Sequence, residues 1–198
     1  MNKFIEKIQK ISKENGKTAI FVDMDGTITV YNVYPEHDVA KKMEEEYEQA
    51  EPASYVIELL EKIEKMQNID IYILTLSKSK KITEQKKKWL KKHVPFIKEE
   101  NWIIITKENN EYSKENRDII KAEKMKEKNN EYNKLILLDD DHKILKETQK
   151  ILGEKGQVFH ISSILVWNSE KIFSKQFKYD IIKTIKSIEY RLVLRGKE

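Results

Sequence analysis

Short apolar segments alternate with longer amphipathic stretches along most of this chain. The short segments comprise residues 19–22, 69–74, 102–106, 134–138 and 157–161. Short runs rich in β-branched and aromatic residues are typical of strands that are buried on both faces of a parallel sheet. The alternation of such strands with helical stretches predicts an α/β fold, a Rossmann-like parallel sheet flanked by helices.

The amphipathic stretches predict the helices of this fold. Apolar residues recur at helical spacing in residues 1–17, 52–66 and 79–93, and again in the C-terminal residues 170–194. A stripe of this kind faces the core in most surface helices. We therefore expect the helix over residues 170–194 to dock on the sheet, although a partner or a membrane surface is an alternative use of its apolar face.

The region after the first strand is polar and has little periodicity. Residues 31–50 predict either a small cap insertion over the strand ends or a solvated connecting helix. A chain of 198 residues is long enough for one core and one small insertion. The sequence therefore predicts a single domain over residues 1–198.

Composition narrows the class of protein. The chain has 39% hydrophobic and 36% charged residues, and no apolar run is long enough to span a membrane. The N-terminal stretch lacks the uninterrupted apolar core of a signal peptide. There is no cysteine, which excludes disulfides and thiolate chemistry. We expect a cytoplasmic protein that is not bound to a membrane, and the oligomeric state is left open.

The net charge of +4 does not identify a partner. Residues 170–198 contain eight basic and four acidic residues, so the excess is concentrated at the C-terminus. A general nucleic-acid surface would need a basic face across the fold. A local basic cluster does occur in residues 78–92.

Carboxylates follow two of the predicted strands. Asp23 and Asp25 end the first strand, Gly26 can supply a sharp turn there, and Asp139 and Asp140 end the fourth strand. If the first segment stays extended, its two carboxylates share a side, although that rule weakens past the strand end. The carboxyl ends of parallel strands lie at one edge of a sheet, where α/β proteins place their ligands. Several carboxylates together require a cation, and an all-oxygen set selects Mg²⁺.

A hydroxyl and lysines complete the predicted site. Thr75 ends the second strand, and the basic cluster lies on the helix that follows it. A hydroxyl and an ammonium group beside a cation suit a phosphate. Asp23 can then attack phosphorus, while Asp25 exchanges a proton with the leaving oxygen and with water.

These motifs resemble the haloacid dehalogenase (HAD) superfamily of phosphotransferases. Residues 23–27 match its first motif, Asp-x-Asp-Gly-Thr/Val, Thr75 matches the second, and residues 137–140 match the fourth. The resemblance extends over residues 18–161. It implies a metal site formed by Asp23, by the backbone carbonyl of Asp25 and by one of the final pair, for which we favour Asp140 as direct ligand and Asp139 as its supporting neighbour.

Residues 73–95 are similar to the 5′(3′)-deoxyribonucleotidase group within that superfamily. The group has a lysine three residues before a tryptophan, and this pattern selects Lys86, three residues before Trp89, as the lysine of the third motif. It also has an aromatic residue six positions after the second aspartate, which is Tyr31 here and would contact a base or sugar. The resemblance assigns phosphate binding to four residues: Gly26, Thr27, Thr75 and Lys86.

The resemblance implies a Mg²⁺-dependent phosphomonoesterase with an aspartyl-phosphate intermediate and a small phosphorylated substrate, such as a nucleoside monophosphate. Residues 36–50 lack the aromatic cluster with which a nucleotidase cap holds its substrate. Two alternatives therefore remain. One is a phosphatase for polynucleotide ends that binds through residues 78–92, and the other is a non-catalytic protein of the same fold that binds a phosphate compound or a partner.

Overall fold

The computed structural model describes residues 3–30 and 47–166. Most of the predicted cap insertion, Tyr31 and the predicted helix over residues 170–194 lie outside the described residues. The predictions for these three features are therefore not tested by the structure.

Five strands and six helices make up the described part. The strands are β1 (Thr18–Val22), β2 (Ile69–Ser77), β3 (Trp102–Thr106), β4 (Lys134–Asp139) and β5 (Gly156–His160). The helices are α1 (Lys3–Asn15), α2 (Ser54–Glu64), α3 (Lys80–His93), α4 (Ile120–Lys126), α5 (His142–Leu152) and α6 (Ser162–Val166). Each strand begins within one residue of its predicted start, so the apolar pattern located the sheet well.

All the strands are parallel, in the order β3-β2-β1-β4-β5. The predicted α/β fold, a Rossmann-like parallel sheet flanked by helices, is confirmed. β1 is central and pairs with β2 and β4, so that Val22 lies beside Ile73 and Leu138. The ends of these three neighbouring strands therefore meet at one edge of the sheet.

The two faces of the sheet have separate cores because side chains alternate along each strand. Ile20 and Val22 of β1 pack into the core that includes residues of α1, α2 and α3. Ala19 and Phe21 pack into the core that includes residues of α4 and α5. The layer that holds α3 and the layer that holds α4 thus lie on opposite faces, and each can send a side chain to the strand ends.

The apolar run of β2 ends at Leu74, whereas the strand itself continues to Ser77. The reason is its pairing with β3, which runs from Ile73 beside Trp102 to Ser77 beside Thr106. Thr75 therefore lies inside the strand and is fully buried, and its hydroxyl faces the layer of α3.

The segment after β1 leaves the sheet in a tight turn. The amides of Thr27, Ile28 and Thr29 all donate to the carbonyl of Met24, at 2.9–3.1 Å. Gly26 has a φ of +77°, a conformation that glycine adopts at no steric cost. The predicted turn at Gly26 is confirmed. No helix in residues 3–30 and 47–166 is long and apolar enough to cross a membrane.

Candidate active site

Lys121 of α4 joins the ends of the two central strands. Its ammonium group lies 2.7 Å from an oxygen of Asp23 and 2.7 Å from an oxygen of Asp139. All three residues are buried, with Lys121 only 2% exposed. A buried lysine of this kind is stable because two carboxylates compensate for the loss of water around its charge.

Strand alternation explains why these groups meet. Val22 lies beside Leu138 in the sheet, so Asp23 and Asp139, one residue further on, extend from the same face. That face is the one covered by α4, where Lys121 lies in the first turn of the helix beside the buried Ile120 and Ala122. The sheet register and the position of α4 together create the contact.

The pKa of Asp23 is raised from its ordinary value of 3.8 to about 7. Burial is the largest cause; the charge of Lys121 opposes it, and the charges of Asp139, Asp25 and Asp140 add to it. Burial alone would lower the pKa of Lys121, but the charges of Asp139 and Asp23 and their hydrogen bonds outweigh burial and raise it. The site thus has more negative charge than its lysines compensate.

This charge excess fits a divalent cation. Asp23, Asp139 and Asp140 each offer one carboxylate oxygen, and these atoms lie within 4.8 Å of one another. The set contains only oxygen ligands, which suits Mg²⁺. Both oxygens of Asp139 already accept hydrogen bonds, from Lys121 at 2.7 Å and from the amide of Asp141 at 2.8 Å. The preference for Asp140 as the direct ligand stays a prediction.

Asp141, the third aspartate after β4, has a different role. It is the N-cap of α5, and its carboxylate accepts from the amides of Lys143 at 2.9 Å and Ile144 at 3.4 Å. The other oxygen of Asp141 accepts from both terminal nitrogens of Arg117 at 3.0 Å. Backbone and guanidinium donors outweigh burial and lower the pKa of Asp141, so this carboxylate is compensated without a metal.

Asp25 belongs to a second group of contacts, on the side of α3. Its Oδ2 atom accepts from Lys86 at 2.6 Å, and Lys86 also donates to the hydroxyl of Thr75 at 2.9 Å and to the carbonyl of Leu76 at 2.8 Å. The three hydrogens of the Lys86 ammonium therefore all have protein acceptors. The hydroxyl of Thr75 accepts from Lys86 and is fully buried.

The expectation that Asp23 and Asp25 share a side does not hold. Asp23 contacts Lys121 of α4 and Asp25 contacts Lys86 of α3, which are helices of opposite layers. The cause is the turn after Val22, since the backbone is no longer extended between the two aspartates and Met24 enters the core. The two carboxylates consequently have different lysine partners.

Gly26 and Thr27 lie in this turn, next to both groups of contacts. The hydroxyl of Thr27 is buried and has no hydrogen-bond partner among the described residues. A buried polar group without a partner is costly, and this hydroxyl has almost no exposed surface. The structure therefore brings the predicted residues together, and Tyr31 is the exception because it lies outside the described residues.

Two residues of the site, Lys121 and Tyr47, were not predicted from the sequence. The phenol of Tyr47 donates to Oδ1 of Asp25 at 2.5 Å. A signal for Lys121 did exist, because it lies between Ile120 and Ala122 in the only apolar part of the polar residues 107–133. Tyr47 had no comparable signal, since it follows a stretch without periodicity.

The raised pKa of Asp23 predicts a pH-dependent stability in the absence of metal. Between about pH 4 and pH 7 the folded state binds the Asp23 proton and the unfolded state has lost it, so stability falls as pH rises. Asp23→Asn removes this penalty. In EDTA the variant should therefore be more stable than wild type at high pH. We expect the difference in unfolding free energy between the variant and wild type to be about 2 to 3 kcal/mol larger at pH 8 than at pH 5.

Urea unfolding at the two pH values measures this difference. Glu61→Gln is the control, because Glu61 is an exposed carboxyl on α2 whose side chain is 48% exposed. The same gain for Asp23→Asn at both pH values would contradict the raised pKa.

A comparison with family models identifies the family of this chain. A family model described as the phosphatase domain of polynucleotide kinase PNKP matches residues 17–158, from the residue before β1 into β5. Among solved structures, the chain is similar to the HAD domain of the effector protein Lem4 from Legionella pneumophila, with 15% sequence identity over 78% of this chain and 96% of that chain and a TM-score of 0.38. No curated protein matches the chain. The family model covers well over half of the sequence and all the strand ends of the site, and the chain therefore belongs to the HAD superfamily of phosphatases, in the family of the PNKP phosphatase domain.

Proposed function

We propose that this protein is a Mg²⁺-dependent phosphomonoesterase that acts on a small phosphorylated substrate, most specifically a nucleoside monophosphate. The observation that carries the proposal is the meeting of Asp23, Asp139 and Asp140 at one sheet edge with Lys121 between two of them. Membership of a phosphatase family supports the reaction class. The nucleotide specificity rests on the resemblance of residues 73–95 to the deoxyribonucleotidase group.

In the first step an oxygen of Asp23 forms a bond to phosphorus as the bond from phosphorus to the ester oxygen breaks. Asp25 gives its proton to the departing oxygen, so that an alcohol leaves and Asp23 carries the phosphoryl group. In the second step Asp25 takes a proton from water, which attacks phosphorus and releases phosphate from Asp23. Both aspartates are then ready for another cycle.

Mg²⁺ would be held by Asp23, by the backbone carbonyl of Asp25 and by Asp140. Asp139 would be the supporting neighbour of Asp140. A bound Mg²⁺ neutralises charge on the phosphate, which otherwise repels the aspartate nucleophile. Lys121 holds Asp23 and Asp139 in place on the other side. The resemblance assigns phosphate binding to Thr75 and Thr27, whose buried side chains lie beside Lys86 and in the turn after Asp25 respectively.

A second candidate, a phosphatase for polynucleotide ends, is suggested by the name of the matched family and by the lysines of α3. These lysines form a weaker basic surface than the sequence indicates. Lys86 is buried in the site, and three others are paired with glutamates: Lys87 with Glu84, Lys88 with Glu48 and Lys91 with Glu99. Paired surface charges attract a phosphate backbone less, so we place this candidate second.

A panel of phosphate esters tests the proposal and separates the candidates. We expect wild-type protein with Mg²⁺ to release phosphate from nucleoside monophosphates, to lose this activity in EDTA and to regain it when Mg²⁺ is restored in excess. Oligonucleotides with a terminal 3′-phosphate, assayed at low and at high salt, form the second arm. Turnover of mononucleotides should change little with salt, because a mononucleotide contacts few basic residues.

Hydrolysis of the oligonucleotides alone, falling steeply with salt, would replace the first candidate by the second. Activity that persists in EDTA would contradict the metal requirement. Failure to hydrolyse any ester in the panel would contradict the phosphatase assignment and favour the non-catalytic alternative.

A further inference from the structure

Tyr47 is the first described residue after the gap at residues 31–46, and its side chain is buried in the site, with only 6% of the residue exposed. The phenol donates to Oδ1 of Asp25 at 2.5 Å and lies 3.3 Å from the hydroxyl of Thr29. Thr29 in turn donates to the carbonyl of Met24 at 2.9 Å. Tyr47 therefore contacts the turn that carries Asp25 at two points.

Asp25 is held at both of its oxygens. Lys86 donates to Oδ2 at 2.6 Å and Tyr47 donates to Oδ1. Two donors on opposite oxygens define the plane of a carboxylate as well as its direction. Each oxygen retains a second lone pair, so Asp25 can still carry a proton to the substrate or take one from water.

Tyr47 is itself fixed on α3. Its backbone amide donates to the side chain of Gln85 at 2.8 Å, and its ring lies under the Lys86 ammonium, 4.9 Å from the ring centroid. Three residues further on, the carbonyl of Ala50 accepts from the indole of Trp89 at 2.8 Å. The phenol thus has a fixed position relative to the helix that supplies Lys86.

Burial is the main cause that raises the pKa of Tyr47 well above its ordinary value, and the negative charge of Asp25 and its hydrogen bond add to it. The direct contact of the phenol with Oδ1 of Asp25 defines what the side chain can do, which is to orient the carboxylate.

We propose that Tyr47 is a positioning residue that orients Asp25 for proton transfer to the leaving oxygen. The inference rests on the proposed function, since it assigns Asp25 to the proton. Lys86 donates a charged hydrogen bond to one oxygen of Asp25, and Tyr47 fixes the orientation of the carboxylate at the other oxygen. Without the phenol the carboxylate can rotate about its bond to the rest of the side chain, and the geometry for proton transfer is lost for part of the time.

Two esters whose leaving groups differ in their need for a proton test this role of Tyr47. Phenyl phosphate needs a proton on its departing oxygen, whereas 2,4-dinitrophenolate is stable as an anion and departs without one. For Tyr47→Phe with Mg²⁺ we expect kcat/KM to fall about tenfold for phenyl phosphate and by less than about twofold for 2,4-dinitrophenyl phosphate.

Tyr72→Phe is the matched control. Tyr72 is equally buried, and its phenol shares a hydrogen bond of 2.8 Å with Tyr132. It lies on β2 in the α4/α5 core, so this variant also loses one buried hydroxyl but should leave both rates unchanged. Tyr47→Met, which fills the pocket with a flexible apolar side chain, repeats the comparison if Tyr47→Phe does not fold.

Equal losses on the two esters, or no loss on either, would overturn the role of Tyr47 and leave the proposed function intact. Wild-type protein that hydrolyses neither of these esters, and no nucleoside monophosphate assayed beside them, would overturn the proposed function and the role of Tyr47 with it. The two failures are therefore distinguishable in the same assay.

Discussion

Asp23→Asn is expected to reduce phosphate release at least about a thousandfold, because the amide has no charged oxygen with which to attack phosphorus. The substitution keeps the size and shape of the side chain. It removes one negative charge from a site that has four carboxyl groups for two buried lysines, so the fold should be retained or stabilised. The loss would therefore report chemistry and not unfolding.

Steady-state release of phosphate with Mg²⁺ measures this effect, and a thermal melt of the same sample checks the fold. Asp70→Asn is a suitable control, since Asp70 lies near the opposite end of β2 and accepts from Tyr132 at 2.7 Å, remote from the site. Acid quenching of the wild-type reaction should trap a phosphoryl group on Asp23. Asp23→Asn with nearly normal turnover would show that another residue is the nucleophile.

Lys121→Met is expected to have the largest effect on stability. It removes the only buried cation that contacts Asp23 and Asp139 among the described residues, and it leaves two carboxylates buried. Breaking a buried ion pair by removing one partner typically costs about 3 to 5 kcal/mol. We expect a loss of this size in EDTA at pH 8, and a smaller loss at pH 5, where protonation neutralises part of the site.

Urea unfolding at the two pH values measures the cost, and added Mg²⁺ should recover part of it if the carboxylates bind the ion. Lys124→Met is the matched control on the same helix. Its side chain is 36% exposed and pairs with Glu127 only at the surface, so its loss should change stability by less than about 1 kcal/mol. Equal stability of the two variants would contradict the structural role of Lys121.

Much of the fold was predictable because the signal is local. Five apolar runs located the five strands, and the carboxylates that follow β1 and β4 could be assigned to one sheet edge before any contact was known. The end of β2 was not predictable in the same way. It depends on pairing with β3, and the polar Thr75 and Ser77 interrupt the apolar pattern although both are buried.

The two lysines of the site, Lys86 and Lys121, show which contacts a local sequence pattern can predict and which it cannot. The sequence selected Lys86 from its spacing to Trp89, and the structure places it on Asp25 and Thr75. The partner of Asp23 is instead Lys121, 98 positions further along the chain. Many exposed lysines have similar neighbours in the sequence, and only the docking of α4 on its face of the sheet distinguishes this one.

The sequence by itself determined the type of sheet, the order of its strands along the chain and the presence of Asp23, Asp25 and Asp139 at strand ends, because these follow from short-range periodicity. The tertiary structure decided which donor holds each carboxylate. Strand alternation directs Asp23 toward α4, the turn at Gly26 returns Asp25 toward α3, and Tyr47 reaches Asp25 from a segment without sequence signal. Such contacts depend on helix packing across the two faces of the sheet, which no local pattern contains.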